Sequence, residues 1–321
     1  MGSDTSSIAE FMTAARPLNL HPDRLFPSDP TQRAIARRLY AEVAGLPIVS
    51  PHGHTDPAWW AVDAPFANAT ELLLVPDHYV FRMLYSQGID LDALGIPRAD
   101  GSRAQVDPRE AWRLFARHYH LFRGTPSALW LDHVFHEVFG LRERLCADSA
   151  DRYYDAITDA LQTALFRPRA LFERFNIEVI ATTESPLDPL AHHQAIRDSG
   201  WRGRVVTAYR PDPVIDPEHE QFAQSLERFG EITGENVYDW DGYLRAHRQR
   251  RAFFASMGAT STDHGHPTCA TADLPPDQAR ALFTRSGSTS TSANVVWRRF
   301  WASNGLMRTR RWTPFSARRW P

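Results

Sequence analysis

Residues 30–43 (PTQRAIARRLYAEV) place Ala34, Ile35, Leu39 and Val43 on one side of a 3.6-residue repeat and arginines on the other, which predicts a helix. The short apolar run Leu46-Pro47-Ile48-Val49-Ser50 follows and predicts a buried strand, stopping at Pro51-His52-Gly53-His54-Thr55-Asp56-Pro57. Three further runs have strand character: Asn176 to Thr183, Gly203 to Tyr209 and Ser256 to Thr262. They end at the polar tips Glu184-Ser185-Pro186, Arg210-Pro211-Asp212 and Asp263-His264-Gly265-His266. Helical patterns (PLAHHQAIRDSG and PEHEQFAQSLERFGEITG) separate them. Residues from about 80 to 175 are rich in aromatics at helical spacing and predict a helical insertion. A repeated unit of strand, polar tip and helix favours a parallel α/β architecture, a barrel more than an open sheet. Four or five strands fall short of the eight of a closed barrel, so the expectation is an incomplete one.

Composition narrows the class without naming it. A chain of 321 residues, 43% hydrophobic and 12% aromatic, can bury a sizeable core. A formal net charge of -2 gives no global drive toward nucleic acid or an anionic membrane. Cys146 and Cys269 are too few and too far apart for a disulfide framework or a zinc knuckle and suit a reducing compartment. With no signal-like or membrane-length apolar run, a soluble cytoplasmic protein is expected. All 36 basic residues are arginine, which excludes Schiff-base chemistry, a P-loop lysine and a carbamylated lysine bridging two metals. From Ser286 onward there are seven Arg, four Trp, ten Ser or Thr and no acid. One reading is a basic arm for nucleic acid or a partner; the favoured one is a lost coding frame after about Arg285.

His52-Gly53-His54 is the leading constellation. Residues i and i+2 of extended chain point to one face, so two imidazoles can converge on one ion, with glycine removing a side chain between them. Neutral imidazole suits zinc, and also manganese, iron, cobalt or nickel. The bland alternative is two loop histidines beside a turn. Asp77-His78-Tyr79 could serve proton transfer or carboxylate recognition, or be a loop with an aromatic anchor. Arg210, at a strand tip, can clamp a carboxylate, although arginine is abundant enough here for a surface role to compete. Asp263-His264-Gly265-His266 could supply a ligand or a substrate contact. His118, His120, His133, His136, His192 and His193 read as residues of amphipathic helices.

Taken in order, NLHPDRLFPSDP, LPIVSPHGHTDP, LLVPDHYVFRML, LWLDHVFHEVFG, TTESPLDPLAHH, VVTAYRPD and FFASMGATSTDHGHPT resemble uronate isomerase over about residues 18–285. This resemblance implies the amidohydrolase superfamily and a distorted, TIM-type (β/α)8 barrel. It also implies interconversion of D-glucuronate with D-fructuronate, and of D-galacturonate with D-tagaturonate, in hexuronate catabolism. A single divalent metal, usually zinc, is implied, held by two strand-1 histidines and a last-strand aspartate. His52 and His54 match the metal pair, His78 and Tyr79 the site's His-Tyr, and Arg210 the substrate-binding arginine; His264 is a further expected substrate contact. The implied reaction removes the C2 proton of the open-chain aldehyde acid, passes through a cis-enediol and returns a proton at C1. Tyr79 or His78 would stabilise charge on the carbonyl oxygen.

No counterpart of the last-strand aspartate or of the later strands is found after Arg285, so the expectation is a site one ligand short in an inactive or poorly folded chain. The expected partner is a small hexuronate, with no nucleic acid and no membrane, and a homo-oligomer left open. The rivals are a hydrolase of the same superfamily and a non-enzymatic binding protein.

Overall fold

The computed structural model describes residues 16–287, apart from 99, 217, 218, 220 and 266–273. His266 of the Asp263–His266 tip, Cys269 and almost all of the basic tail therefore lie outside the described residues. Two compact units emerge: residues 16–46 with 64–171, and residues 47–63 with 172–287.

The first unit is helical. Helix α1, Pro30–Val43, starts where the pattern predicts because Asp29 accepts from the Gln32 amide (2.8 Å) and Pro30 needs no amide partner. Its apolar side is not buried among the described residues: Ile35, Leu39 and Val43 remain exposed. The core lies instead under α5 (Pro108–Arg117), α6 (Pro126–His133) and α7 (Ala150–Leu161), reached after α3 (Ala69–Leu73) and α4 (His78–Ser86). Trp112, Phe115, Phe122, Phe135 and Tyr153 are fully buried there. Phe135 meets Tyr153 edge to face at 5.0 Å, and the Trp112 indole donates to the Ala150 carbonyl (3.0 Å), so the one polar atom of that ring is satisfied.

The second unit carries the sheet. Strands β1 (Ile48–Ser50), β2 (Ile177–Glu184) and β3 (Arg204–Tyr209) pair in parallel in that order. Between β1 and β2 the elements are all helical, from α2 (Ala58–Val62) to α8 (Pro168–Arg174). Helix α9 (Ala191–Asp198) connects β2 to β3, and α10 (Asp212–Ile215), α11 (Phe222–Thr233), α12 (Trp240–Ser256) and α13 (Pro276–Gly287) follow. The apolar residues Leu72 to Val75 span the end of α3 and the turn after it.

The last expected strand is almost absent. Ser256 and Met257 end α12, and only Thr262 bridges in parallel to Tyr209. The described sheet therefore has three strands and one bridge, and no closed barrel is seen among the described residues. Val49 and Ile48 on β1 stay half exposed rather than buried, since among the described residues only one side of that strand is paired. No helix among the described residues is long and apolar enough to cross a membrane.

Removing the ring that joins α5, α6 and α7 should be costly. Phe135→Ala is expected to destabilise the helical unit by about 3–5 kcal/mol, read as a lowered urea midpoint. An unchanged midpoint would mean that this core does not limit stability.

Candidate metal centre

Parallel strands deliver their carboxyl ends to one edge, and that edge gathers the polar residues of the second unit. His52 and His54 follow β1, Glu184 ends β2, Arg210 follows β3, and Asp263 follows the bridge at Thr262. Backbone bonds fix these tips: the Arg210 amide donates to the Glu184 carbonyl (3.0 Å) and the Asp263 amide to the Tyr209 carbonyl (3.0 Å). The Thr183 hydroxyl donates to the Gly53 carbonyl (2.9 Å), tying the His-Gly-His segment to β2. A Cβ at Gly53 would lie 3.3 Å from the Ala181 carbonyl oxygen, so glycine permits this close approach.

The two imidazoles converge. His52 Nε2 lies 3.1 Å from His54 Nε2, and the Asp263 carboxylate lies 3.8 Å from His52 Nδ1. One ligand atom from each of the three falls within 4.8 Å of the others. Two nitrogens bound to zinc at about 2.1 Å across a tetrahedral angle sit roughly 3.4 Å apart, so the pair is already near ligating separation. Asp263 faces the far nitrogen of His52, where a carboxylate either joins the ion or orients the ring.

Arg210 holds this arrangement. Its Nε donates to Asp212 Oδ2 (2.7 Å) and its Nη1 to Asp263 Oδ2 (2.7 Å). Asp212 also accepts from the Gly265 amide (3.0 Å). Two carboxylates against one guanidinium leave one formal negative charge beside two imidazoles, a setting that favours a dication. His264 is partly buried, its Nε2 3.2 Å from the Thr262 hydroxyl.

His78 and Tyr79 belong to the first unit, in the opening turn of α4, both exposed, with ring centroids 4.2 Å apart. Neither chemistry nor a loop explains Asp77, which caps that helix by accepting from the Tyr79 (2.8 Å) and Val80 (3.2 Å) amides.

Behind the edge lies a polar layer that sequence reasoning missed. Thr182 and Glu184 share one face of β2, and Thr207 is paired with Thr182 on β3. Glu184 Oε2 accepts from the Thr182 hydroxyl (2.9 Å) and from the Thr207 hydroxyl. His193, nearly fully buried, has Nε2 2.9 Å from the Thr182 oxygen. Since that hydroxyl spends its proton on Glu184, the ring donates from Nε2. Its Nδ1 is buried without a partner among the described residues. Burial pushes the Glu184 carboxyl above and the His193 imidazole below their ordinary ranges. Polar residues alternating within an apolar run were the available signal. His193 itself was read as an ordinary helix residue.

A second buried pair joins the Tyr209 hydroxyl to His247 Nδ1 at 2.8 Å.

The model of the family described as glucuronate isomerase matches residues 30–309. The chain belongs to the glucuronate isomerase family. The match extends past Arg285, into the segment whose composition had set it apart. The chain is 79% identical over 266 residues to a uronate isomerase of Xanthomonas euvesicatoria pv. vesicatoria, covering 83% of this chain and 56% of that protein. Against a uronate isomerase of Sphingopyxis alaskensis it is 69% identical over 274 residues, covering 84% and 57%. The crystal structure of glucuronate isomerase from Caulobacter crescentus superposes with a TM-score of 0.82 at 57% identity, covering 91% of this chain and 63% of that one. A uronate isomerase structure from Thermotoga maritima, at 24% identity and a TM-score of 0.74, shares the fold. The chain thus spans about half the length of the curated relatives it matches. The family is metal-dependent, and His52, His54 and Asp263 form a cluster able to hold an ion.

Burial holds His247 down to about 4 from an ordinary 6.5, so the fold keeps it neutral. Its contribution to stability is full above the unfolded value of 6.5 and is lost as pH falls toward 4. His247→Gln, which keeps a hydrogen-bonding group without the titration, should flatten the fall in denaturation midpoint across that window. An unchanged slope would clear His247 of responsibility.

Proposed function

We propose that this chain carries the metal centre of a uronate isomerase, an aldose–ketose isomerase acting on D-glucuronate and D-galacturonate. The convergence of His52, His54 and Asp263 at one sheet edge, in a chain of this family, carries the reading. His52 and His54 would hold a single divalent ion, with zinc the first choice for two imidazoles and a carboxylate. Asp263 takes the acidic place that the sequence had left empty, from the fourth strand position rather than the last strand of a barrel. A bound ion would polarise the substrate's carbonyl oxygen and raise the acidity of the neighbouring C–H.

The chain's own residues do the rest. With a dication added, the cluster's formal charge changes from one negative to one positive, which suits a substrate bearing one carboxylate. Arg210 keeps Asp263 beside His52 through Nη1, and its guanidinium is proposed to meet that carboxylate as well. A base of the site takes the C2 proton, the cis-enediol forms, and a proton returns to C1. Tyr79 and His78 are proposed to donate toward the oxygen on which charge develops, and His264 to touch the sugar hydroxyls. In the relatives' full length we propose a (β/α)8 barrel closing on β1, since an open parallel sheet leaves that edge unpaired.

Binding tests this without depending on turnover. The purified chain should bind one equivalent of zinc by titration calorimetry. Loss of either imidazole (His52→Ala or His54→Ala) should abolish it, and Asp263→Asn should weaken it about 10–100-fold. Glucuronate should bind only the metal-loaded chain, and more weakly after Arg210→Gln. Stoichiometric zinc binding that survives loss of both histidines would sink the proposal. Clear turnover of D-glucuronate by the chain, followed by NMR, would establish the reaction and overturn the expectation of an inactive chain.

A further inference from the structure

A guanidinium can meet a carboxylate along more than one edge, so whatever occupies one edge of Arg210 decides how it holds Asp263. Asp212, two residues further on, takes the Nε edge: Nε donates to its Oδ2 (2.7 Å). The guanidinium, turned that way, presents Nη1 to Asp263 Oδ2 (2.7 Å). The other oxygen of Asp263, Oδ1, is the one that stands 3.8 Å from His52 Nδ1. The two oxygens of Asp263 thus serve two different neighbours, the arginine and the imidazole.

Asp212 is itself held from a second direction. The Gly265 amide lies 3.1 Å from its Oδ1 and 3.0 Å from its Oδ2, which ties the segment after the Thr262 bridge to the tip of β3. Its side chain is 18% exposed against 33% for Arg210, so water screens this pair less than it screens the open ion pairs of the surface. Gly265 has to be small: a Cβ there would lie 3.2 Å from both Arg210 Nη2 and Asp212 Oδ2. One carboxylate therefore sets the rotation of the guanidinium and also anchors the segment that carries Asp263. Freed of Asp212, the guanidinium could turn to grip Asp263 with two N–H groups, the stronger pairing for an arginine and a carboxylate. That fork would engage both oxygens of Asp263 and draw Oδ1 away from His52.

We propose that Asp212 is a positioning residue of the metal centre: acting through Arg210, it keeps Oδ1 of Asp263 available to His52 and the ion. The inference rests on the metal-centre reading above and adds to it a residue outside the ligand set. Its loss should weaken metal binding, because the carboxylate beside His52 is then committed to the arginine instead.

Zinc titration calorimetry on the full chain tests this as a double-mutant cycle with Arg210. Asp212→Asn keeps the size of the side chain and an acceptor for the Gly265 amide, and should bind zinc about tenfold more weakly than the parent. In an Arg210→Gln background the same substitution should change zinc affinity less than about twofold, since the group it acts through is gone. Cobalt(II) in place of zinc should give altered visible bands in Asp212→Asn, because those bands follow the geometry of the ligands. Unaltered bands, or zinc binding by Asp212→Asn equal to that of the parent, would overturn the proposal and leave the metal centre standing. An equal loss in both backgrounds would also overturn it, marking a through-space effect of charge or a role in the fold alone. A parent chain that binds no zinc would remove the metal-centre reading and this inference with it. Should Asp212→Asn fail to fold, Gly265→Ala carries the test: it crowds Arg210 Nη2 and Asp212 Oδ2 and should weaken zinc in the parent but not in Arg210→Gln. Parental affinity in Gly265→Ala would then count against the proposal.

Discussion

The parallel pairing of β1, β2 and β3 is the constraint on which the functional edge depends. It sends every strand out at the same side, so residues separated by two hundred positions meet there. The register is specific: Thr182 faces Thr207 and Glu184 faces Tyr209. A slip of one residue would exchange the two faces of β2, turning the Thr182–Glu184 pair away from Thr207 and His193. Hydrogen bonds from Arg210 to Glu184 and from Asp263 to Tyr209 carry that register beyond the strands into the tips. The geometry of the cluster is thus inherited from the ladder.

Electrostatics then differ sharply between the edge and the layer behind it. At the edge, exposed imidazoles and a guanidinium shared by two aspartates keep charge within reach of solvent and of an ion. Behind it, Glu184 and His193 are almost completely covered, and hydroxyls from two strands replace water around the carboxylate. A buried layer of this kind is directional where apolar packing is not, and it links α9 to β2 through His193 and Thr182.

The helical unit is stabilised by different means. Interlocked aromatic rings fill its centre, and arginine–carboxylate pairs lie over its surface. Surface pairs of that kind contribute little each, so the buried rings dominate.

Much of this was legible in the chain. The α1 boundaries, the strands at residues 48–50, 177–184 and 204–209 and the His-Gly-His tip follow from local periodicity and punctuation, which act over a few residues. The ordered motifs were enough to indicate the family, which the comparisons then bore out. Tertiary structure alone decided what depends on distant neighbours. It set Asp263 rather than His264 beside His52, tied Arg210 to two aspartates, and buried His193 against Glu184. It also reduced the expected fourth strand to a single bridge and left the apolar side of α1 exposed. Periodicity states which face of an element is apolar; which partner meets that face, and which charges meet at a strand tip, is fixed only when distant segments pack together.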